Sequence, residues 1–245
     1  MIGKKYFCFN IREFEVLLSA FEIQSLPRFK YEEQLNPQYA QMDYNIGVFD
    51  LYKSGAISQE NGCWKVDSEI GDIFKILKET KYYITIICKN EEVPEYLLYI
   101  SDTHQFVVAQ PGNQNGEYMK MQLFHYEDLS VFLEESGALL SDIIMDNFVE
   151  NQEFLPVEDE VKDFISKDMK PDEESLLSLK NIETIITVTN RDSLEKTAVI
   201  GILKQTLQDK LILWTQDEKR LDLYSNNKIV EMMKLILEGK KDDIG

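Results

Sequence analysis

The chain has 245 residues and a net charge of −18, from 44 acidic and 26 basic residues. With an apolar content of 44%, a chain of this length can bury about 70–75% of its unfolded surface in a core that needs no disulfide or metal. The negative charge repels polyanions and disfavours anionic membrane surfaces, so no nucleic acid is expected as a partner. No stretch approaches about 18 consecutive apolar residues, so no membrane insertion is predicted.

Cysteine usage and the first residues favour a cytoplasmic location. The three cysteines, Cys8, Cys63 and Cys88, are odd in number and far apart in sequence. This pattern is typical of reduced thiols in the cytosol. The run from Met1 to Phe9 contains two lysines but no long apolar region, so it does not match a secretory signal peptide.

Two helical segments are predicted near the beginning of the chain. Asn10 followed by Glu13 has the spacing of a capping box and opens a helix with an apolar stripe that reaches Phe21. A second helical region runs from Asn36 to Ser54 and ends at Gly55. Its apolar residues are Met42, Ile46, Phe49, Leu51 and Tyr52.

A small hairpin and a third helix follow. Asn61-Gly62 is a tight-turn signal, which predicts a short hairpin between residues 56–58 and 63–66. Asp67 or Ser68 then caps a helix, because apolar residues recur at helical spacing after them. These residues are Ile70, Ile73, Phe74 and Leu77.

An order of four strands and one helix occurs twice, about 100 residues apart, which is the mark of a repeated supersecondary unit. The first set comprises 82–88, 96–100, 106–109, 118–124 and the amphipathic run 127–134. The second set comprises 182–189, 197–203, 210–215, 221–224 and the amphipathic run 228–238. The links are too short for crossovers, so each set is predicted to be an antiparallel meander. The poor alternation of residues 84–87 predicts a central strand that is buried on both faces.

The charge is concentrated between these two sets. Residues 141–175 contain twelve acidic residues and three lysines. The segment is either a solvated face or linker, or a docking surface for a basic partner. We therefore predict an α+β protein of two related halves, each with helices, a four-stranded antiparallel meander and a following helix. The halves are 1–140 and 181–245, joined by an acidic helical connector at 141–180, and together they form one compact unit.

No catalytic, cofactor-binding or metal-binding residue is predicted. No glycine-rich phosphate loop is present, and the two histidines, His104 and His125, are read as surface residues. Ser193 and Lys196 have the Ser-x-x-Lys spacing of some acyl enzymes but fall in a turn between two strands. Residues 50–79 loosely match a winged helix, although their second helix lacks the basic surface that DNA binding requires.

The order of elements resembles the EspG-like proteins, the cytosolic chaperones of type VII (ESX/Ess) secretion systems. The similarity lies in the early helix from Phe14 to Phe21 followed by Leu26-Pro27, the helix and glycine-linked hairpin from Leu51 to Val66, and the hairpin from Tyr96 to Ala109. The family is built on two related halves around a central sheet. The resemblance implies a chaperone that binds a secreted helical hairpin of WXG, LXG or PPE type and shields its apolar tip.

Surplus aromatic residues on sheet faces and the loops beside the sheet are the candidate contacts with such a partner. On the strands these are Tyr96, Tyr99, Trp214 and Tyr224. In the loops they are His104, within 101–105, and Asn113, within 110–117.

The predicted function is that of a non-enzymatic cytoplasmic chaperone or adaptor that binds a protein partner, a helical secretion substrate. One alternative is an acidic immunity or accessory protein that neutralises a cationic partner through its charge. A third hypothesis is a hydrolase-type enzyme, because carboxylates able to act as acid and base are abundant. No pattern in the sequence fixes two of them around a pocket.

Overall fold

The computed structural model describes residues 5–24, 26, 40–90, 92–100, 104–111, 118–140, 176–179, 181–204, 210–215 and 219–237. The helices within these ranges are α1 (Ile11–Ala20), α2 (Ala40–Ser54), α3 (Ser68–Glu79), α4 (Leu129–Glu135) and α5 (Asn226–Leu237). The strands are β1 (Phe7–Asn10), β2 (Ile57–Glu60), β3 (Cys63–Val66), β4 (Tyr82–Cys88), β5 (Tyr96–Ile100), β6 (Gln105–Pro111), β7 (Tyr118–His125), β8 (Ile182–Asn190), β9 (Lys196–Leu203), β10 (Lys210–Thr215) and β11 (Lys219–Leu223). None of the described helices is long and apolar enough to cross a membrane.

Nine strands form one sheet in the order β1-β7-β6-β5-β4-β8-β9-β10-β11, and β2 pairs with β3 in a separate hairpin. The pairs β1–β7, β5–β6, β6–β7, β8–β9, β9–β10 and β10–β11 are all antiparallel. The predicted α+β class is therefore confirmed. β4 is the middle strand, and its four consecutive buried residues, Tyr83–Ile86, confirm that both of its faces are covered.

Both predicted strand sets are present as meanders. β4 to β7 precede α4, and β8 to β11 precede α5, so the predicted order of elements occurs twice. The order alone does not establish a common origin, and the relation between the two halves stays a prediction.

The chain divides into two compact units that differ from a simple N-terminal and C-terminal division. One comprises Met1–Ile84, Glu95–Asp128 and Asn190–Leu194, and the other comprises Thr85–Pro94, Leu129–Thr189 and Glu195–Gly245. The predicted boundaries after residues 140 and 180 stay a prediction. Most of the acidic connector, residues 141–175 and 180, lies outside the described residues.

Each unit contains its own buried apolar cluster. In the first unit, Phe14 and Phe74 lie at the centre, with ring centroids 5.4 Å apart and both side chains almost fully buried. The cluster in the second unit comprises Leu176, Ile182, Ile185, Val199, Leu203 and Ile212. These buried side chains provide the main favourable contribution to folding.

Local capping signals form as the sequence predicts. Asn10 accepts a hydrogen bond from the Glu13 amide at 3.0 Å, and Glu13 accepts one from the Asn10 amide at 2.8 Å, which completes the capping box of α1. Asp67 caps α3 by accepting from the amides of Glu69 and Ile70. Asn61 and Gly62 both have positive φ, as a two-residue hairpin turn requires.

One hydroxyl group is buried in the sheet, and we expect that its removal does not destabilise the protein. Thr187 of β8 is 1% exposed, and its Oγ1 has no hydrogen-bond partner among the described residues. A buried unsatisfied hydroxyl costs about 1–3 kcal/mol. We expect Thr187→Val to leave the free energy of unfolding unchanged or to raise it by about 1 kcal/mol, as measured by urea denaturation.

Thr197 of β9 provides the matched control for this substitution. It is also buried, but its Oγ1 donates to the carbonyl of Val188 at 3.3 Å. Thr197→Val removes this bond and should lower the free energy of unfolding by about 1 kcal/mol. A loss at Thr187 as large as that at Thr197 would show that the Thr187 hydroxyl is satisfied.

Candidate protein-binding surface

The position of α2 is set by an unusually close approach to α1. A Cβ atom built on Gly47 would lie 2.6 Å from the backbone oxygen of Arg12 and 2.9 Å from Cγ2 of Val16. Real Cβ atoms do not approach other atoms so closely, so only glycine permits this contact between the two helices.

A second contact fixes the rotation of α2 about its axis. Nε of Arg12 donates to Oδ1 of Asp43 at 2.7 Å, and the Asp43 side chain is only 9% exposed. Asp43, Gly47 and Leu51 are spaced four residues apart, so they lie along one side of α2. The buried side of this helix therefore consists of a paired carboxylate, a glycine and one leucine.

The opposite side of α2 carries large apolar side chains that face solvent. Met42, Phe49 and Tyr52 are 58%, 62% and 53% exposed. The sequence prediction of a helix ending at Ser54 is confirmed, and residues 36–39 of the predicted range lie outside the described residues. Of the five apolar residues named for this helix, only Leu51 is fully buried. The buried side of α2 carries mainly polar or small residues, so an apolar pattern does not mark it in the sequence. The most informative sequence signal for this side is the glycine in the interior of the helix.

The β2–β3 hairpin extends this apolar surface. Trp64 of β3 is 52% exposed and meets Tyr52 edge to face, with ring centroids 5.8 Å apart. We call Met42, Phe49, Tyr52 and Trp64 the aromatic face. Glu60 and Lys65 form an ion pair with each other on the face of the hairpin opposite Trp64. Exposed apolar side chains that lie together on one surface are typical of a protein interface.

The strand residues that were predicted as partner contacts are not members of the aromatic face. Tyr96 is half-buried at the start of β5. Tyr99 is 1% exposed and packs in the core, with its ring centroid 6.5 Å from that of Tyr83. Its predicted role as a surface contact is therefore corrected, because its side chain lies on a covered face of β5. The backbone of Trp214 pairs with Val199 and Lys219.

The structure describes interactions of two of the remaining predicted contacts. The Tyr224 hydroxyl accepts a hydrogen bond from the Leu140 amide at 3.0 Å, 84 residues away in sequence, and donates one to Asn226. His104 is exposed, has a φ of 57°, and contacts the ring of Tyr126 edge to face. Asn113 lies outside the described residues. As contacts, these residues stay predictions.

Within the part of the chain that the structure describes, no group of three or more His, Cys, Asp or Glu side chains is arranged to hold a metal ion. Burial raises the pKa of the Cys88 thiol, and a hydrogen bond from Thr184 lowers it by a smaller amount. Among the described residues, the aromatic face is the clearest candidate for a binding surface.

Comparison with known proteins shows a similarity of fold. The chain is similar to the solved structure of the Mycobacterium tuberculosis type VII secretion system chaperone EspG5 in complex with a PE25–PPE41 dimer. The TM-score is 0.51 at 8% sequence identity, and the match covers 96% of each chain. No protein-family model and no curated protein matches this sequence. The resemblance drawn from the order of elements is thus supported at the level of the fold.

Proposed function

We propose that this chain is a non-enzymatic cytoplasmic chaperone or adaptor that binds a helical secretion substrate of a type VII secretion system. The observation that carries the proposal is the aromatic face, which consists of four large side chains exposed to solvent on a helix and a hairpin. The whole-chain similarity to a secretion chaperone that binds a protein dimer gives independent support.

The spacing of the aromatic face suits a helical partner. Met42, Phe49 and Tyr52 are seven and three residues apart, so they form a ridge along α2. A partner helix with apolar residues at i, i+3, i+4 and i+7 can pack against such a ridge. Burying the exposed part of each aromatic ring contributes about 2 kcal/mol before the cost of ordering the interface.

The charge of the chain has a secondary role in this proposed interaction. The net charge is −18, and Glu60 and Lys65 of the hairpin neutralise each other on the face opposite Trp64. Apolar contacts thus supply affinity, while the acidic surface keeps the chain soluble and steers the approach of the partner.

Salt dependence separates this proposal from neutralisation of a cationic partner. The chain is co-expressed with helical-hairpin proteins encoded beside its gene, and the purified complex is measured by calorimetry at low and high salt. Apolar capture predicts that the Kd changes less than about threefold between 50 and 500 mM salt, because only charge interactions are screened.

Two results would contradict the proposal. Affinity that falls by about a hundredfold or more over this salt range would favour the acidic immunity or accessory protein. Failure of every co-expressed helical hairpin to bind, with the chain itself folded, would remove the chaperone hypothesis.

A further inference from the structure

The outward side of α2 has the residue spacing of a coiled-coil seam. Met42, Asn45, Phe49 and Tyr52 follow one another at intervals of three, four and three residues, and we call these four residues the seam. All four are exposed, on the side of the helix opposite the buried Gly47. Intervals that alternate between three and four residues allow two helices to pack lengthwise against each other over several turns. The seam is therefore a track along α2.

The positions beside the seam carry little charge. On one side of the seam lie Gln41 and Val48, and on the other side lie Ile46 and Lys53. Ile46 and Val48 are partly buried, and Lys53 is the only charged residue of the four. In coiled coils, charges at these flanking positions choose the partner and its orientation. With a single charge in the flanks of α2, the choice of partner depends mainly on the seam itself.

Asn45 is the polar member of an otherwise apolar seam. It lies one turn after Met42 and one turn before Phe49, and its Oδ1 accepts a hydrogen bond from Nε2 of Gln41 at 3.2 Å. A side-chain amide has both donors and acceptors, so Asn45 retains hydrogen-bonding capacity for a partner. If an apolar side chain covered this amide, the amide would lose its bonds to water and gain none. The seam thus favours a partner with a hydrogen-bonding side chain at this position.

We propose that the partner is a helix that packs lengthwise along α2 and places one asparagine or glutamine side chain against Asn45, within a stripe that is otherwise apolar. Asn45 is then a specificity-determining residue, because only one register of the partner helix brings the two amides together. Trp64, whose ring meets that of Tyr52, extends the stripe at the end of the seam. The inference rests on the function proposed above and adds the chemistry of the helix that is bound.

A second copy of this chain is a poorer occupant of the seam. The intervals of the seam read the same in both directions, so antiparallel packing of two copies would place each Asn45 opposite a Phe49 ring. This arrangement would leave the amides without partners and would bring together two chains that each carry a charge of −18. A partner helix with a facing amide avoids both costs.

Two fluorescein-labelled peptides of three heptads each provide the probe. Both have leucine at the seam positions, except that the central one is glutamine in the first peptide and stays leucine in the second. Binding to the full chain is followed by fluorescence anisotropy, at concentrations at which sedimentation shows each peptide to be monomeric. We expect the native chain to bind the glutamine peptide at least about fivefold more tightly, although the leucine peptide is more apolar.

Two variants of the chain complete the comparison. Asn45→Leu should reverse the preference, so that the leucine peptide binds at least about fivefold more tightly. Asn45 is exposed and leucine favours helices, so this variant should fold like the native chain, as checked by circular dichroism. Tyr44→Leu is the matched control, because Tyr44 is also exposed on α2 but is not part of the seam. It should keep the native preference within about twofold.

The direction of the bound helix is measured separately. A nitroxide label on the first residue of the glutamine peptide should broaden the amide NMR signals at one end of α2, near either Ala40 or Ser54, because a lengthwise helix places its terminus near one end of the track. Equal broadening at both ends would show a crossing helix and would overturn the lengthwise packing.

The outcomes separate this inference from the proposed function. Equal binding of the two peptides by the native chain, or an unchanged preference in Asn45→Leu, would overturn the role of Asn45 and leave the aromatic face as a binding surface. Failure of both peptides to bind a chain that still captures a co-expressed helical hairpin would overturn the seam alone. Failure of the hairpins as well would contradict the proposed function.

Discussion

Replacement of both Phe49 and Trp64 by serine is expected to weaken binding of a helical partner by at least about 100-fold. Each aromatic side chain at the centre of an interface contributes about 2 kcal/mol or more, and 1.4 kcal/mol corresponds to a tenfold change in Kd. Both side chains are more than half exposed in this chain, so their removal sacrifices little core packing. The thermal midpoint should therefore change by no more than about 3 °C. Calorimetric titration of the purified partner and thermal denaturation give the two measurements.

The control is another exposed apolar residue that is not part of the aromatic face. Leu194 is 64% exposed in the turn between β8 and β9, and Leu194→Ser should leave the Kd within about twofold of the native value. If the Phe49 and Trp64 double variant bound as tightly as the Leu194 variant, the aromatic face would not be the binding surface.

The same substitution is expected to have opposite effects at two helical glycines. Gly47→Ala places a Cβ atom 2.6 Å from the Arg12 carbonyl oxygen, which forces α1 and α2 apart. Overpacking of this kind costs about 1–3 kcal/mol, and the better helix propensity of alanine recovers only part of it. Gly71→Ala in α3 meets nothing within 4 Å and should raise the free energy of unfolding by about 0.5–1 kcal/mol.

Urea denaturation of the two variants measures this difference directly. The contrast isolates the packing between α1 and α2, because both sites are helical and have negative φ. A Gly47 variant as stable as the Gly71 variant would show that α2 does not depend on close contact with α1. The Gly47 variant should also bind the helical partner less tightly, since α2 presents most of the aromatic face.

Features set by nearby residues could be predicted from the sequence. The capping box of Asn10 and Glu13 needs only residues three apart, and the Asn61-Gly62 hairpin needs only a local backbone preference. The meanders were also predictable, because short links restrict neighbouring strands to antiparallel pairing. These interactions are local, so the sequence pattern contains most of the information.

Features set by distant residues could not be predicted in this way. β1 was not predicted, because its four residues become a strand only through pairing with β7, more than 100 residues later. The sequence also could not show which side of α2 is buried. That choice depends on the ion pair between Asp43 and Arg12, 31 residues apart, and on the approach at Gly47.

The expectation for Tyr99 failed for a related reason. Tyr96 and Tyr99 are three residues apart and so lie on opposite faces of β5, but strand periodicity does not show which faces of a sheet are covered. In the structure, Tyr99 packs beside Val107 and Tyr83 in the buried cluster of the first unit.

The pairing of β1 with β7 also affects how the chain behaves during its synthesis. Ribosomes add about 5–20 residues per second, so Phe7–Asn10 would wait on the order of ten seconds for its partner residues in β7 to be made. Until β7 is made, Phe7 and Phe9 lack the strand that they pair beside in the folded chain. Exposed apolar segments of incomplete chains promote aggregation, so this part of the chain depends on early protection during synthesis.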